Sequence, residues 1–233
     1  ADNFGGEVDR MVVDEVENVD GVRRIFFTKD QPGVDGSPYP GTLEGSRGSA
    51  LDHIGWDVPD VAAKLAELEA NGVEIVSKPL KSGDLFTFAF VRDPWGTVIE
   101  LTDIVKDGQF SHVHVVSDDP ERTINWYARY FGGEVAHPMD VPTLWAIQYG
   151  PVVLVASKSP AKLAPTMHRS ADHLGWSFSD LDAAVERMKA GGVKVVRDVF
   201  KFGVTNIAFV ESPEGVLIEC IQIPIAYPEE VTE

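Results

Sequence analysis

Two spacings of apolar residues alternate along the chain, one of about 3.6 positions and one of about two, and each predicts an element. Ile124, Tyr127 and Phe131 recur at the helical spacing. Asp119-Pro120 ahead of them offers an N-cap and a first-turn proline, and Gly132-Gly133 behind them ends the helix. Leu181, Val185 and Met188 make the matching stripe of a later helix, closed by Gly191-Gly192. Phe86, Phe88 and Phe90 alternate instead, as strand residues do, and Asp93-Pro94-Trp95-Gly96 reads as a hairpin turn into a strand from Val98 to Leu101. The order strand, helix, strands predicts a βαβββ unit, used four times in principle.

The units repeat at a larger scale. Residues 1–8 match 128–135 at six of eight positions, and 52–76 match 172–196 at ten of twenty-five. FVRDPWGTVIEL (90–101) also matches FVESPEGVLIEC (209–220). The chain is read as two copies, 1–106 and 107–233, joined near Asp107-Gly108. The offset between copies falls from 127 to 120, so copy one carries seven extra residues, assigned to the Gly/Pro-rich stretch Gln31 to Gly48, read as a long surface loop. Counting back from copy two, the first strand and most of the first helix of copy one are missing. The counterpart of His112 falls ahead of Ala1.

Composition narrows the function classes. A hydrophobic content of 44% over 233 residues fills a sizeable core, and no apolar run is long enough to span a bilayer. The net charge of −17 repels phosphate backbones and anionic lipid, so neither nucleic acid nor membrane is an expected partner. One cysteine, Cys220, excludes an internal disulfide. The expected setting is soluble and cytoplasmic.

Strand alternation sorts the polar residues. In Asp172 to Phe178, Leu174, Trp176 and Phe178 share the face expected to pack on helices, and His173 faces the other way. In the last strand Val216 and Ile218 take the helix side, leaving Glu219 on the concave side among Leu217 and Ile221. An ionised carboxylate there costs several kcal/mol unless it pairs with a cation or a metal. The same reading puts His53 and Glu100 on the concave face of copy one, and His112 and His114 on one face of the strand that opens copy two. The His-to-Glu spacing is 47 in copy one and 46 in copy two. A structural role stays open: Glu219 can instead pair with Arg169 or Arg197, and inheritance alone can preserve the spacing. His137 and His168 read as solvated, with His168 on the loop before His173.

A strand histidine seven before a helix-capping Asp (His112 to Asp119), a second in DHLGW, and a Glu closing P-x-G-x-x-x-E resemble the metal-ligand pattern of the vicinal oxygen chelate superfamily of glyoxalases, bleomycin resistance proteins and extradiol dioxygenases. The resemblance covers essentially the whole chain, twice. It implies an α+β fold of paired βαβββ modules in curved, mostly antiparallel sheets, as two tandem domains. It also implies His112, His173 and Glu219 as ligands of one divalent ion (Fe, Mn or Zn), with His114 as the fallback for His112. His53 and Glu100 are then the remnant of a degraded second site. Two imidazoles and a carboxylate leave positions open for a chelating substrate. Glyoxalase I relatives add a fourth ligand, usually Glu, on a strand that here reads Val152 to Val155. Extradiol dioxygenases add a Tyr where Phe209 and Phe90 stand. The expectation is a metal-dependent lyase, isomerase or oxygenase acting on a small molecule with adjacent oxygens, neither a standard glyoxalase I nor a catechol dioxygenase. The alternative is a metal-free small-molecule binding protein of the bleomycin-resistance kind.

Overall fold

The computed structural model describes residues 42–106, 108–159 and 161–222. The expected loop from Gln31, as far as residue 41, lies outside them. The first unit runs β1 (Leu51–Asp57), α1 (Val61–Ala70), β2 (Glu74–Ile75), β3 (Leu80–Ser82), β4 (Phe86–Arg92) and β5 (Val98–Thr102). The second comprises β6 (Phe110–Ser117), α2 (Pro120–Phe131), β7 (Val135–Ala136), β8 (Trp145–Tyr149) and β9 (Val152–Lys158). The third is β10 (His173–Ser177), α3 (Leu181–Ala190), β11 (Lys194–Phe202), β12 (Thr205–Glu211) and β13 (Leu217–Gln222).

The helix signals hold where the sequence puts them. Asp119 caps α2 by accepting from the Arg122 amide at 3.0 Å, and Gly132, at φ 80°, ends it in a conformation that glycine adopts without strain. Asp60 and Asp180 cap α1 and α3 in the same way, each accepting from an amide three residues on at 2.9 Å. No helix among the described residues is long and apolar enough to cross a membrane.

Two curved sheets result. The larger has the order β2-β4-β5-β1-β6-β9-β8-β7, with β3 on the side of β4, and the smaller has the order β10-β13-β12-β11. Each unit contributes one parallel pair, β1 with β5, β6 with β9 and β10 with β13. The other pairings are antiparallel.

The sheets do not divide at the copy boundary expected at 106/107. β5 covers one edge of β1, and β6 pairs antiparallel along the other. The end of β1 builds the turn that allows it. The Asp57 carboxylate accepts from the amides of Val105 and Lys106 at 2.5 and 2.6 Å. The Asp57 amide donates to the Gln109 carbonyl at 2.8 Å, and the Trp56 indole N–H donates to the Gly108 carbonyl at 3.1 Å. Those bonds fold the connection back, so the chain re-enters beside the strand it left.

Hydrophobic packing joins a different pair of units. One core takes Val113, Val115, Ile124, Tyr127 and Leu154 from the second unit and Leu181, Val185, Met188, Val210, Ile218 and Cys220 from the third. Burial pushes the Cys220 thiol up to about 12, so it packs as a small apolar group. The first unit has its own core, where Leu65 and Leu68 of α1 meet Ala89, Val91, Ile99 and Leu101. A shared sheet thus links units one and two, and a shared core links units two and three. Ile124 is fully buried in that shared core. Ile124→Ala is therefore expected to cost about 2–5 kcal/mol in denaturant unfolding. Val105→Ala, with the Val105 side chain 70% exposed, should stay within about 0.5 kcal/mol.

Candidate metal centre

The β1–β6 pairing puts ligand-type side chains from both halves of the chain on one concave face. Gly55 stands beside Glu100 across the parallel pair, and His112 stands beside Gly55 across the antiparallel pair. His114 is level with His53. A residue two along a strand returns to the same face, so the four side chains converge. His53, Glu100, His112 and His114 each offer a donor atom within 4.8 Å of the others. His53 and His112 are buried, and Glu100 and His114 nearly so.

Glu100 is the hub. Its Oε2 lies 2.9 Å from His112 Nε2 and 3.1 Å from His53 Nε2. Donors bound about 2.1 Å from one ion at right angles stand about 3.0 Å apart, so these separations suit a shared ion as well as they suit hydrogen bonds. The rings are held from behind. The His53 Nδ1–H donates to Asp52 Oδ1 at 2.8 Å, which fixes the tautomer and leaves Nε2 facing Glu100. Ser111 Oγ lies 3.1 Å from His112 Nδ1 and Ser157 Oγ 2.7 Å from His114 Nε2. Gly55 makes the space: a Cβ there would fall 1.9 Å from the His112 ring. Donor types, spacing and this cradle all fit a divalent ion.

The electrostatics follow from burial and contact. Burial alone would raise the Glu100 pKa, but the hydrogen bonds from His112 and His53 outweigh it and hold the carboxyl at about 2. Burial would lower His53, and its bonds to Asp52 and Glu100 raise it instead above the usual imidazole range. Burial, with the neighbouring His53 and His112, drives His114 down to about 3, so it is neutral at physiological pH.

The expected trio of His112, His173 and Glu219 does not assemble. His112 and its fallback His114 lie on β6 in the large sheet, whereas His173 and Glu219 lie on β10 and β13 of the small one. The physical reason is strand pairing: β6 spends its edges on β1 and β9, and none on β10. His53 and Glu100, expected to be a remnant, are instead the pair that His112 completes. His173 and Glu219 do share a face, with Nε2 and Oε2 3.7 Å apart, and Asp172 holds His173 Nδ1 at 2.8 Å as Asp52 holds His53. Burial would lower His173, but Asp172 and Glu219 raise it to about 9. What differs is the third ring. A Cβ on Gly175 would meet nothing nearer than Glu219 at 4.0 Å.

Neither arginine considered for Glu219 reaches it. Arg169 instead bonds Glu44 and the carbonyls of Gly45 and Arg47, and Arg197 lies over the Phe200 ring. His168 anchors the turn before His173, its amide donating to Asp172 Oδ2 at 2.6 Å. The exposed His137 ring lies tilted against Trp145, with centroids 4.2 Å apart. The residues that sequence reasoning overlooked are Asp52 and Asp172. The signal was present, since Asp precedes His in both DHIGW and DHLGW.

Comparison with known proteins places this geometry. A profile of the Glyoxalase/Bleomycin resistance protein/Dioxygenase superfamily matches residues 1–101 and again 109–220. The chain belongs to that superfamily. The two matched segments agree with a tandem form. A probable lactoylglutathione lyase of Vibrio parahaemolyticus is 26% identical over 128 residues, which is 51% of this chain and 93% of that protein. A probable chloroplastic lactoylglutathione lyase of Arabidopsis thaliana is 30% identical over 140 residues, 53% of this chain. That alignment spans only 39% of the Arabidopsis protein. Among solved structures, glyoxalase I from Zea mays superposes with a TM-score of 0.62 at 21% identity, covering 75% of this chain and 68% of that one. A putative dioxygenase from Bacillus subtilis gives 0.57 at 15% identity, covering 79% and 66%. At these identities the structural likeness speaks to fold alone.

Two outcomes follow for this superfamily member. Gly55→Ala should displace the His112 ring and lower metal uptake, whereas Gly175→Ala, which has room for a methyl group, should not; elemental analysis of both variants checks this. Metal uptake should also depend on pH. The raised pKa of His53 means that in the metal-free protein its proton stabilises the fold at low pH, a contribution lost as pH rises through that pKa. An ion must displace this proton, so apparent affinity should fall about tenfold per pH unit below the His53 pKa, measured by metal titration across that range.

Proposed function

We propose that the chain is a metal-dependent enzyme in which His53, Glu100 and His112 hold one divalent ion and a small substrate binds through two adjacent oxygens. The observation that carries this reading is the convergence of two imidazoles, from strands of different copies, on one buried carboxylate at 2.9 and 3.1 Å. A bound ion there supplies Lewis acidity toward the chelating oxygens. Fe(II), Mn(II) and Zn(II) suit the mixed nitrogen and oxygen donors.

The chain's own residues contribute the rest. Asp52 orients His53 and strengthens it as a donor through the Nδ1 hydrogen bond. Glu100, ionised from about pH 2 upward, offsets part of the ion's charge in a largely buried site. His114 is a neutral imidazole on the same face, level with Val155 of β9. The β9 positions that share the face of His112 and His114 are Val153, Val155 and Ser157, so no carboxylate enters from that strand. A neutral histidine beside the trio supports a lyase, isomerase or oxygenase reaction whose fourth donor differs from that of a standard glyoxalase I.

The test is elemental analysis after purification without chelators, followed by reloading with each of the three ions. Wild type should hold one ion per chain. His53→Ala, Glu100→Gln and His112→Ala should each lose it, while His173→Ala and Glu219→Gln should keep it. Wild-type protein that takes up none of the three ions would overturn the enzyme reading in favour of the metal-free binding protein.

A further inference from the structure

Among the described residues, three phenylalanines of β4 belong to none of the hydrophobic cores. Ala89 and Val91 point toward α1 and are fully buried, which sends Phe86, Phe88 and Phe90 to the opposite, concave face. All three are only part-buried. The uncovered face of an antiparallel sheet is ordinarily polar, and a contiguous apolar strip on it marks a place where something binds.

The strip starts at the metal centre. Phe90 is the register partner of Glu100, and its ring meets the His53 ring edge-on with centroids 5.2 Å apart. Phe88 follows at 5.9 Å from Phe90, and Phe86 at 5.9 Å from Phe88. Leu80, 49% exposed, stands beside Phe88 on β3 and widens the strip. Arg47 covers part of Phe90, its Cζ 5.1 Å from the ring centroid, and reaches neither of the outer rings.

The smaller sheet arranges its rings differently. Phe209 is the partner of Glu219 as Phe90 is of Glu100, so β12 presents Thr205, Ile207 and Phe209 where β4 presents Phe86, Phe88 and Phe90. Its further rings come from β11, where Phe200 and Phe202 stand opposite Ile207 and Thr205 and Phe200 stacks 6.4 Å from Phe209. Arg197 lies over that Phe200 ring. An unbroken run of three rings leading away from the carboxylate on its own neighbouring strand is found on β4 and not on β12.

We propose that the substrate of the His53/Glu100/His112 centre carries its adjacent oxygens on an aromatic ring or similarly flat apolar group, which lies along Phe90, Phe88 and Phe86. This rests on the metal-dependent reading above. Benzohydroxamate and acetohydroxamate test it, because both chelate through the same two adjacent oxygens and differ in a phenyl group. Their affinities for the metal-loaded protein are measured by calorimetry, with the free ion in the same buffer as reference. The preference for benzohydroxamate should exceed the free-ion preference by about tenfold, the worth of one favourable ring contact. Phe88→Ala should return it toward the free-ion value, and Phe88→Leu should recover only part. Metal-dependent binding of both probes with no extra preference would overturn the aromatic substrate and leave the metal centre standing. Protein that binds no ion would overturn both.

Discussion

The antiparallel pairing of β1 with β6 is the contact on which the arrangement turns. A strand with one free edge presents a row of unpaired backbone donors and acceptors, and the fold resolves that liability from within. Trp56 and Asp57, the last residues of β1, hold the connection that delivers β6 to the edge. The register then has a chemical consequence. Because side chains alternate, setting Gly55 against His112 puts the ring over the one residue without a side chain, next to Glu100. A slip of one residue would send both β6 histidines to the helix side and leave Glu100 with His53 alone.

Burying four ionisable groups in one place is costly unless their charges are arranged, and each group here has a different solution. Glu100 keeps its charge because two imidazoles bond it. His53 holds a proton more tightly than a free imidazole, because its bonds to Asp52 and Glu100 outweigh its burial. His114 gives its proton up, because burial disfavours its charged form and the neighbouring imidazoles add to that effect. The hydrogen bonds that offset burial also fix the direction of each donor atom, so the same contacts that hold the charges orient the ligand set.

Much of this was legible in the sequence, at the level of elements and faces. The caps at Asp119 and Gly132, the stripe of Leu181, Val185 and Met188, and the alternation that pairs His53 with Glu100 all follow from local chemistry, and the strands and helices lie where those patterns put them. The grouping of histidines was not legible. A repeat shows that units are alike, but which unit pairs with which depends on where a free strand edge meets a returning chain. That decision rests on hydrogen bonds of Asp57 and Trp56 to the backbone of a short connection, for which periodicity carries no signal. His112 was therefore assigned to the unit that follows it in sequence, when the strand pairing gives it to the unit before.

The two DHxGW segments show how little separates a centre from a near-copy. Both keep the Asp behind the imidazole, both set a Gly beside the Glu, and both keep a phenylalanine against the His ring. The His–Glu separations differ by less than 1 Å, at 3.1 and 3.7 Å. Local sequence alone thus reproduces two-thirds of a ligand set wherever it occurs. The remaining third is tertiary, for an imidazole must enter over the glycine from a neighbouring strand. At Gly55 the space that a Cβ would fill holds the His112 ring, while at Gly175 the glycine persists with no ring above it among the described residues. The occupied cradle, rather than the DHxGW segment, is therefore what distinguishes the proposed centre from its near-copy.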